Sequence, residues 1–331
     1  MSSFRGGSPR LRAGAHALSL LSTPVNVSVL RALENEPLSL VELRRTVGSV
    51  PQTTMHKHLR HLSEAGIVVR RRQNQFPGNA EYALARSGSE LISVARAARA
   101  WLADSPDGSL SLGENAANRA IKALAAGWSS NMIRAFAARP LSLTELNRLI
   151  STLTYPSLER RLGAMRYAGL LEARLGQGRA TPYAATNWLR TAIGPLVSAA
   201  NWERHRAASH SRPIDRIDVE SAFLLTVPLL ELPTDVSGMC RLSVELRNGG
   251  GEPSFAGVLV DIRDGQVVSC VSKLQGGVVG WASGSPISWF DAVLAQDFDG
   301  LEIGGHSGLV VTVLDRLRSS INLARKSRSC R

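Results

Sequence analysis

A chain of 331 residues is long enough for two or three domains, each burying its own core. Its 44% hydrophobic and 20% charged residues are ordinary for a globular fold, and no apolar run approaches the roughly 18 residues of a membrane-spanning helix. The net charge of +12 is unevenly spread: 14 Lys/Arg meet 6 Asp/Glu in 1–103, 14 meet 7 in 104–212, and 11 meet 14 in 213–331. A polyanion-binding surface is therefore expected in the first two thirds.

The opening "MSSFRGGSPRLRAG" reads as a basic flexible tail over 1–14 rather than a secretory signal, so the protein is expected in the cytoplasm. A first helix is predicted over 25–34. "PLSLVELRRTVGS" follows, with Ser39 as cap and Glu42 three residues on, the capping-box signature of a short second helix. In the third predicted helix Met55, Leu59 and Leu62 form one apolar stripe, and Gly66 supplies a stop. "IVVRRR" and "EYALA", separated by "QNQFPGNA", read as a hairpin, and a helix over 87–102 closes the segment.

The same series returns 103 residues later. "PLSLTELNRLIST" aligns without a gap to "PLSLVELRRTVGS", with Ser142, Glu145, Leu158, Leu162, Met165 and Gly169 at matching positions. A first helix is predicted over 114–138, then the capped helix, the striped helix, the strands "LLEARL" and "TPYAAT", and a closing helix over 187–206. Two copies make a tandem duplication rather than a solenoid. Helix, helix, turn, helix, hairpin is the layout of a winged helix-turn-helix.

With the stripe inward, a 100° step per residue turns Thr53, Lys57, Arg60 and His61 outward, with Thr54 at the edge of that face. Such a face can enter a major groove, while Arg70, Arg71 and Arg72 on the hairpin can touch backbone phosphate or minor groove. The second copy offers Tyr155, Pro156, Arg160 and Ala164, flanked by Ser157 and Arg161, with Arg174 and Arg179 on its hairpin. A basic helix face is also what a solvated helix looks like; its recurrence on the third helix and hairpin of both copies favours double-stranded DNA. His56, His58 and His61 do not share one face and predict no metal site; His58 lies towards the stripe and is expected to pack.

The stretches "LSLVELRR…MHKHLRHLSEAGIVVRR…EYALARSGSELISVARAARAW" and "LSLTELNR…LERRLGAMRYAGLLEAR…TPYAATNWLRTAIGPLVSAANWERH" resemble winged-helix transcriptional regulators of the HxlR type over most of 15–206. The resemblance implies domains at 15–106 and 107–210. Such regulators act as homodimers on palindromic operators; here one chain holds two copies, which implies an intramolecular pseudo-dimer. Whether the second copy reads DNA or mainly packs stays open, as does homodimerisation of the whole chain.

After a Ser/Arg/Pro linker at 207–216 the pattern changes. A helix over 218–227 precedes strands in "MCRLSVELR", "SFAGVLVDIR", "QVVSCVSKL" and "GGVVGWAS", with turns at 248–251 and Asp264-Gly265. A helix capped by Ser285, the strand "GLEIGGH", a last helix and a basic tail at 324–331 complete an α+β domain at 211–323. "GVLVDIRDGQVVS", "ASGSPISWFDAVLAQD" and "LEIGGHSGLVVTVLDRL" resemble the sterol carrier protein fold. The resemblance implies an apolar ligand held between sheet and helices, with Phe223, Phe255, Trp281, Trp289, Phe290 and Phe298 either lining its cavity or filling the core.

Cys240 and Cys270 read as reduced strand residues and Cys330 as a tail thiol, with no metal-ligand spacing among them. Paired glycines lack the context of a nucleotide fold, and no nucleophile motif or calcium loop is present, so neither cofactor nor enzymatic activity is expected. The chain is thus expected to be multidomain, with two mainly-α winged helix-turn-helix domains and an α+β sterol-carrier-like domain. It reads as a DNA-binding regulator controlled by a hydrophobic small molecule; the alternative is a ligand-sequestering protein that keeps the winged helices as scaffold.

Overall fold

The computed structural model describes residues 12–48, 50–72, 80–126, 129–174, 181–206, 213–247 and 252–326, with backbone only at 72 and 322–326. Arg179, Cys330, the turn at 248–251, and most of the two tails and of the linker lie outside the described residues.

A first unit runs through α1 (Ala15–Leu21), α2 (Pro24–Ala32), β1 (Leu38–Ser39), α3 (Leu40–Val47), α4 (Gln52–Glu64), β2 (Val68–Arg72), β3 (Ala80–Leu84) and α5 (Arg86–Ala103). A second runs through α6 (Asn115–Ala125), α7 (Ser129–Ala138), α8 (Leu143–Leu149), α9 (Tyr155–Tyr167), β4 (Leu171–Ala173), β5 (Tyr183–Ala185), α10 (Asn187–Thr191) and α11 (Ile193–Arg204), with an isolated bridge at Leu141 where the first has β1. The third contains α12 (Arg216–Thr226), β6 (Gly238–Leu246), β7 (Ser254–Arg263), β8 (Gln266–Val271), β9 (Gly280–Gly284), α13 (Pro286–Phe290), β10 (Glu302–Gly305) and α14 (Ser307–Lys326). Its sheet order is β10-β9-β6-β7-β8, with β6 and β9 parallel and the other neighbours antiparallel.

The capping boxes form in both units. Ser39 Oγ accepts from Glu42 N at 3.3 Å while Glu42 accepts from Ser39 N at 2.8 Å, and Ser142 and Glu145 repeat both distances. Met55, Leu59 and Leu62 are buried, as are Leu158, Leu162 and Met165; each such side chain contributes about 1.5–3 kcal/mol by leaving water. Gly66 and Gly169 end α4 and α9 at φ of +64° and +72°, where a side chain would be strained.

Three helices depart from the expected pattern. The run predicted over 114–138 is two helices, because Ala126 turns extended (ψ 137°) and Ser129 Oγ takes up the Leu124 carbonyl at 2.6 Å. The closing helix of the second unit is also two, parted at Ala192: Pro195 has no N–H to offer the Thr191 carbonyl. Helix α1 was not expected at all; its seven residues are too few to show a period.

The first two units are joined by helices: α1 packs on α6 and on α11, and α5 on α11. Trp101 and Trp188 stack at 4.4 Å between ring centres, and each indole N–H donates to the other residue's carbonyl, at 2.8 and 2.9 Å. From α11, Glu203 caps α1 by accepting the N–H groups of Gly14, His16 and Ala17 at 2.8, 2.7 and 3.0 Å. The third unit is fused to the second: α12 packs on α7, and the buried Glu220 carboxylate pairs with Arg134.

Candidate nucleic-acid interface and ligand cavity

In the first unit α4 buries its stripe and exposes Thr53, Lys57, Arg60 and His61, with Thr54 half-buried. Strand β2 runs beside it with Arg70 and Arg71 exposed; Arg72 continues that strand, its side chain outside the described residues. A groove between helix and hairpin is lined by Thr53, His56, Lys57, Arg60, Ser63, Arg70 and Tyr82. The sequence reading passed over His56, Ser63 and Tyr82. The last was detectable in principle, since Tyr82 pairs directly with Arg70 across the hairpin.

His58 does pack. Its Nδ1 lies 2.9 Å from Asn26 Oδ1, and Asn26 in turn donates to the Leu20 carbonyl at 3.2 Å, tying α4 to α2. Burial, then the neighbouring Lys57 and His61, hold the His58 pKa below its ordinary value, which favours the neutral imidazole. Among the described residues no cluster of three or more His, Cys, Asp or Glu could hold a metal ion.

The second unit presents a weaker face. Tyr155 and Arg160 are exposed and Ser157 and Arg161 half-buried, but Gly163 and Ala164 stand where the first unit has Arg60 and His61. Exposed Glu159 replaces His56, and Arg174 is drawn into an ion pair with Glu172 at 2.7 Å. Cations already neutralised in this way have less to give to phosphate.

A second feature lies between units. A cavity of about 110 Å³ is walled by α11, α12, β6, α13 and α14 and by Arg12 and Ala13 ahead of α1. Phe223, Trp289 and Phe290 line it; Phe223 and Trp289 meet edge to face at 5.0 Å, and the Trp289 indole donates to the Ser243 carbonyl at 2.9 Å. The other three aromatics lie elsewhere. Phe255 is 44% exposed on β7, Trp281 covers Gly304 on the neighbouring strand, and Phe298 packs at the edge of the core. Alternation along a strand assigns a face but not which of two faces meets a helix layer, so the sequence could not separate these two sets.

Arg12 and Asp218 bring charge to this wall. Burial lowers the Arg12 pKa against the pull of Asp218, Asp215 and Glu203. Burial likewise raises the Glu203 pKa, even though three backbone N–H groups work in the opposite direction. Cys240 and Cys270 are free, and burial pushes both thiols up to about 12, so neither is a reactive thiolate near neutral pH.

Comparison with known proteins agrees with the first unit's geometry. A helix-turn-helix domain family matches residues 20–71, which span α2 to β2 and include the exposed face of α4. Over 87 residues the chain is 26% identical to an uncharacterized HTH-type transcriptional regulator of Halalkalibacterium halodurans, covering 26% of this chain and 77% of that protein. The chain is therefore a multidomain α/β protein with an N-terminal helix-turn-helix. Among the described residues no helix is long and apolar enough to cross a membrane.

Proposed function

We propose that this protein is a cytoplasmic DNA-binding transcriptional regulator built from two winged helix-turn-helix domains of the HxlR type and a sterol-carrier-like third domain. The observation that carries it is the exposed Thr53, Lys57, Arg60 and His61 face of α4 set beside Arg70 and Arg71 of the hairpin, inside the region matched as helix-turn-helix. A helix in the major groove and a hairpin on the flanking backbone use those two surfaces together.

The second domain makes the weaker contact in this reading, and the operator is correspondingly asymmetric. Pairing of α1 with α6 and of α5 with α11 supports one chain doing the work of a dimer. A hydrophobic small molecule in the inter-unit cavity controls the spacing of α4 and α9, because α11 forms both a cavity wall and the joint with α5. Control requires different ligand affinity in the DNA-competent and incompetent arrangements; a tenfold difference corresponds to about 1.4 kcal/mol.

The test is footprinting on DNA flanking the protein's own gene at low salt and near physiological salt. A discrete protected site that survives the higher salt is expected, and its half-site spacing tells whether one chain or two are bound. In the same assay Lys57→Ala weakens binding at every sequence and reduces the salt slope by about one. Diffuse protection erased by salt would leave the second reading: a ligand-sequestering protein that keeps the winged helices as scaffold, supported by a cavity walled partly by α11.

A further inference from the structure

We propose that the inter-unit cavity takes a small, neutral, apolar molecule carrying one hydrogen-bond acceptor, which receives the Nε–H of Arg12. This rests on the reading that the cavity is a ligand site and names what the site selects. Size comes first: an apolar cavity of ~150 Å³ holds a benzene-sized molecule, so one of about 110 Å³ suits a single ring. Phe223, Val244, Trp289, Phe290 and Leu317 make the surroundings apolar.

Within those walls Arg12 is only 5% exposed, and its Nε has no acceptor among the described residues. Its Nη1 makes one long bond, 3.4 Å to the Leu124 carbonyl. A buried donor on a charged group that lacks a partner is costly; Nε is closed off in the present packing, and a small turn of the Arg12 side chain towards a ligand oxygen removes that cost.

Charge then separates the candidates. Asp218 lines the same cavity, and Asp215 and Glu203 also act on Arg12. These carboxylates have other duties: Asp218 accepts from Ser130 Oγ at 3.1 Å and Ala13 N at 3.4 Å, Asp215 from Asp218 N at 3.0 Å, and Glu203 caps α1. A ligand carboxylate would add a fourth acid around one arginine. An ammonium would be buried against Arg12 where the nearest carboxylate oxygens are already engaged. A ketone, ester or ether oxygen meets neither cost.

The experiment is a ligand-observed NMR titration of the full chain with cyclohexanone, methylcyclohexane, cyclohexylammonium and cyclopentanecarboxylate. Cyclohexanone should bind roughly tenfold more tightly than methylcyclohexane, and both ions more weakly than either. Arg12→Met should lower cyclohexanone to the level of methylcyclohexane and leave the hydrocarbon unchanged. Equal affinity for ketone and hydrocarbon, tighter binding of either ion, or ketone binding unmoved by Arg12→Met overturns the proposal. If Arg12→Met does not fold, Ala222→Phe places a ring in the cavity and keeps Arg12; ketone binding that survives it overturns the site. Operator affinity is read separately, by anisotropy with and without cyclohexanone. Tight ketone binding that leaves DNA affinity unchanged upholds the site and removes its role as effector site, whereas no ketone binding beside intact DNA affinity removes the site alone.

Discussion

Glu42 and Glu145 occupy the same place in the two units, and both are held below the usual carboxylate range by the cap backbone N–H. For Glu145 the Ser142 N–H, then Arg139 and the Ser142 hydroxyl, bring the pKa from 4.5 to about 2. A folded pKa below the unfolded one means that the ionised carboxylate favours the fold. That contribution is complete above pH 4.5 and disappears as pH falls to about 2. Glu145→Gln should therefore melt lower than the parent at pH 7, with a gap that closes as pH approaches 2. A gap of constant size across that range would show that the loop geometry, and not the ionised cap, holds α8. Residue identity also separates the two outward faces: the move from Arg60 and His61 to Gly163 and Ala164 removes donors without disturbing the buried stripe.

Among elements, the paired strands and helices of the two units differ in ways that bear on their use. Val68 pairs with Leu84 but its counterpart Leu171 with Ala185, so partners stand 16 and 14 positions apart and the second hairpin is two residues shorter. The helix joint is anchored by the tryptophan pair between α5 and α10, whose reciprocal N–H bonds satisfy two buried carbonyls. Trp101→Phe keeps a ring in the stack but takes one of two donors from the Trp188 carbonyl, which the Thr191 hydroxyl also reaches at 3.0 Å, at a cost of about 0.5–1.5 kcal/mol. Differential scanning calorimetry should show the melting temperature lowered; an unchanged melting temperature would mean that solvent replaces the indole without cost. In the third unit Asp264 and Gly265, both at positive φ (50° and 76°), close the β7–β8 hairpin in the conformation the Asp-Gly pair announces.

At the scale of the molecule the second unit touches both others, and α14 of the third also packs on α5 of the first. The second unit faces the first through α6 and α11 and the third through α7. The α7–α12 junction is charged in an uneven way: the Glu220 side chain is 2% exposed, while Arg134 is 42% exposed and Arg216, 3.8 Å from the carboxylate, is 62% exposed. Removing Arg134 leaves a buried anion with only the more distant, mostly exposed Arg216, whereas neutralising the anion leaves cations that water can reach. Arg134→Met should thus lower the thermal midpoint more than Glu220→Gln, by the equivalent of about 1–3 kcal/mol. The reverse order in paired melting curves would place the carboxylate in water.

Much of the first two units was legible in the chain. Two capping boxes, two apolar stripes and two stop glycines are local signals, set by backbone hydrogen bonds within four residues and by side-chain period. They located α3, α4, α8, α9 and both hairpins, and the outward set Thr53, Lys57, Arg60 and His61 followed from helical geometry alone. Tertiary structure decided the rest. Joints between units depend on contacts such as Glu203 with the α1 N-terminus and Trp101 with Trp188, whose partners lie over eighty residues apart. The cavity depends on which face of a sheet meets which helix; this gathered Phe223, Trp289 and Phe290 around Arg12 and left Phe255, Trp281 and Phe298 outside it. Periodicity repeats along one element and carries no information about its distance from another, so the sequence by itself determined the capped and striped helices and their faces, and only packing decided where the longer helices break and what the faces enclose.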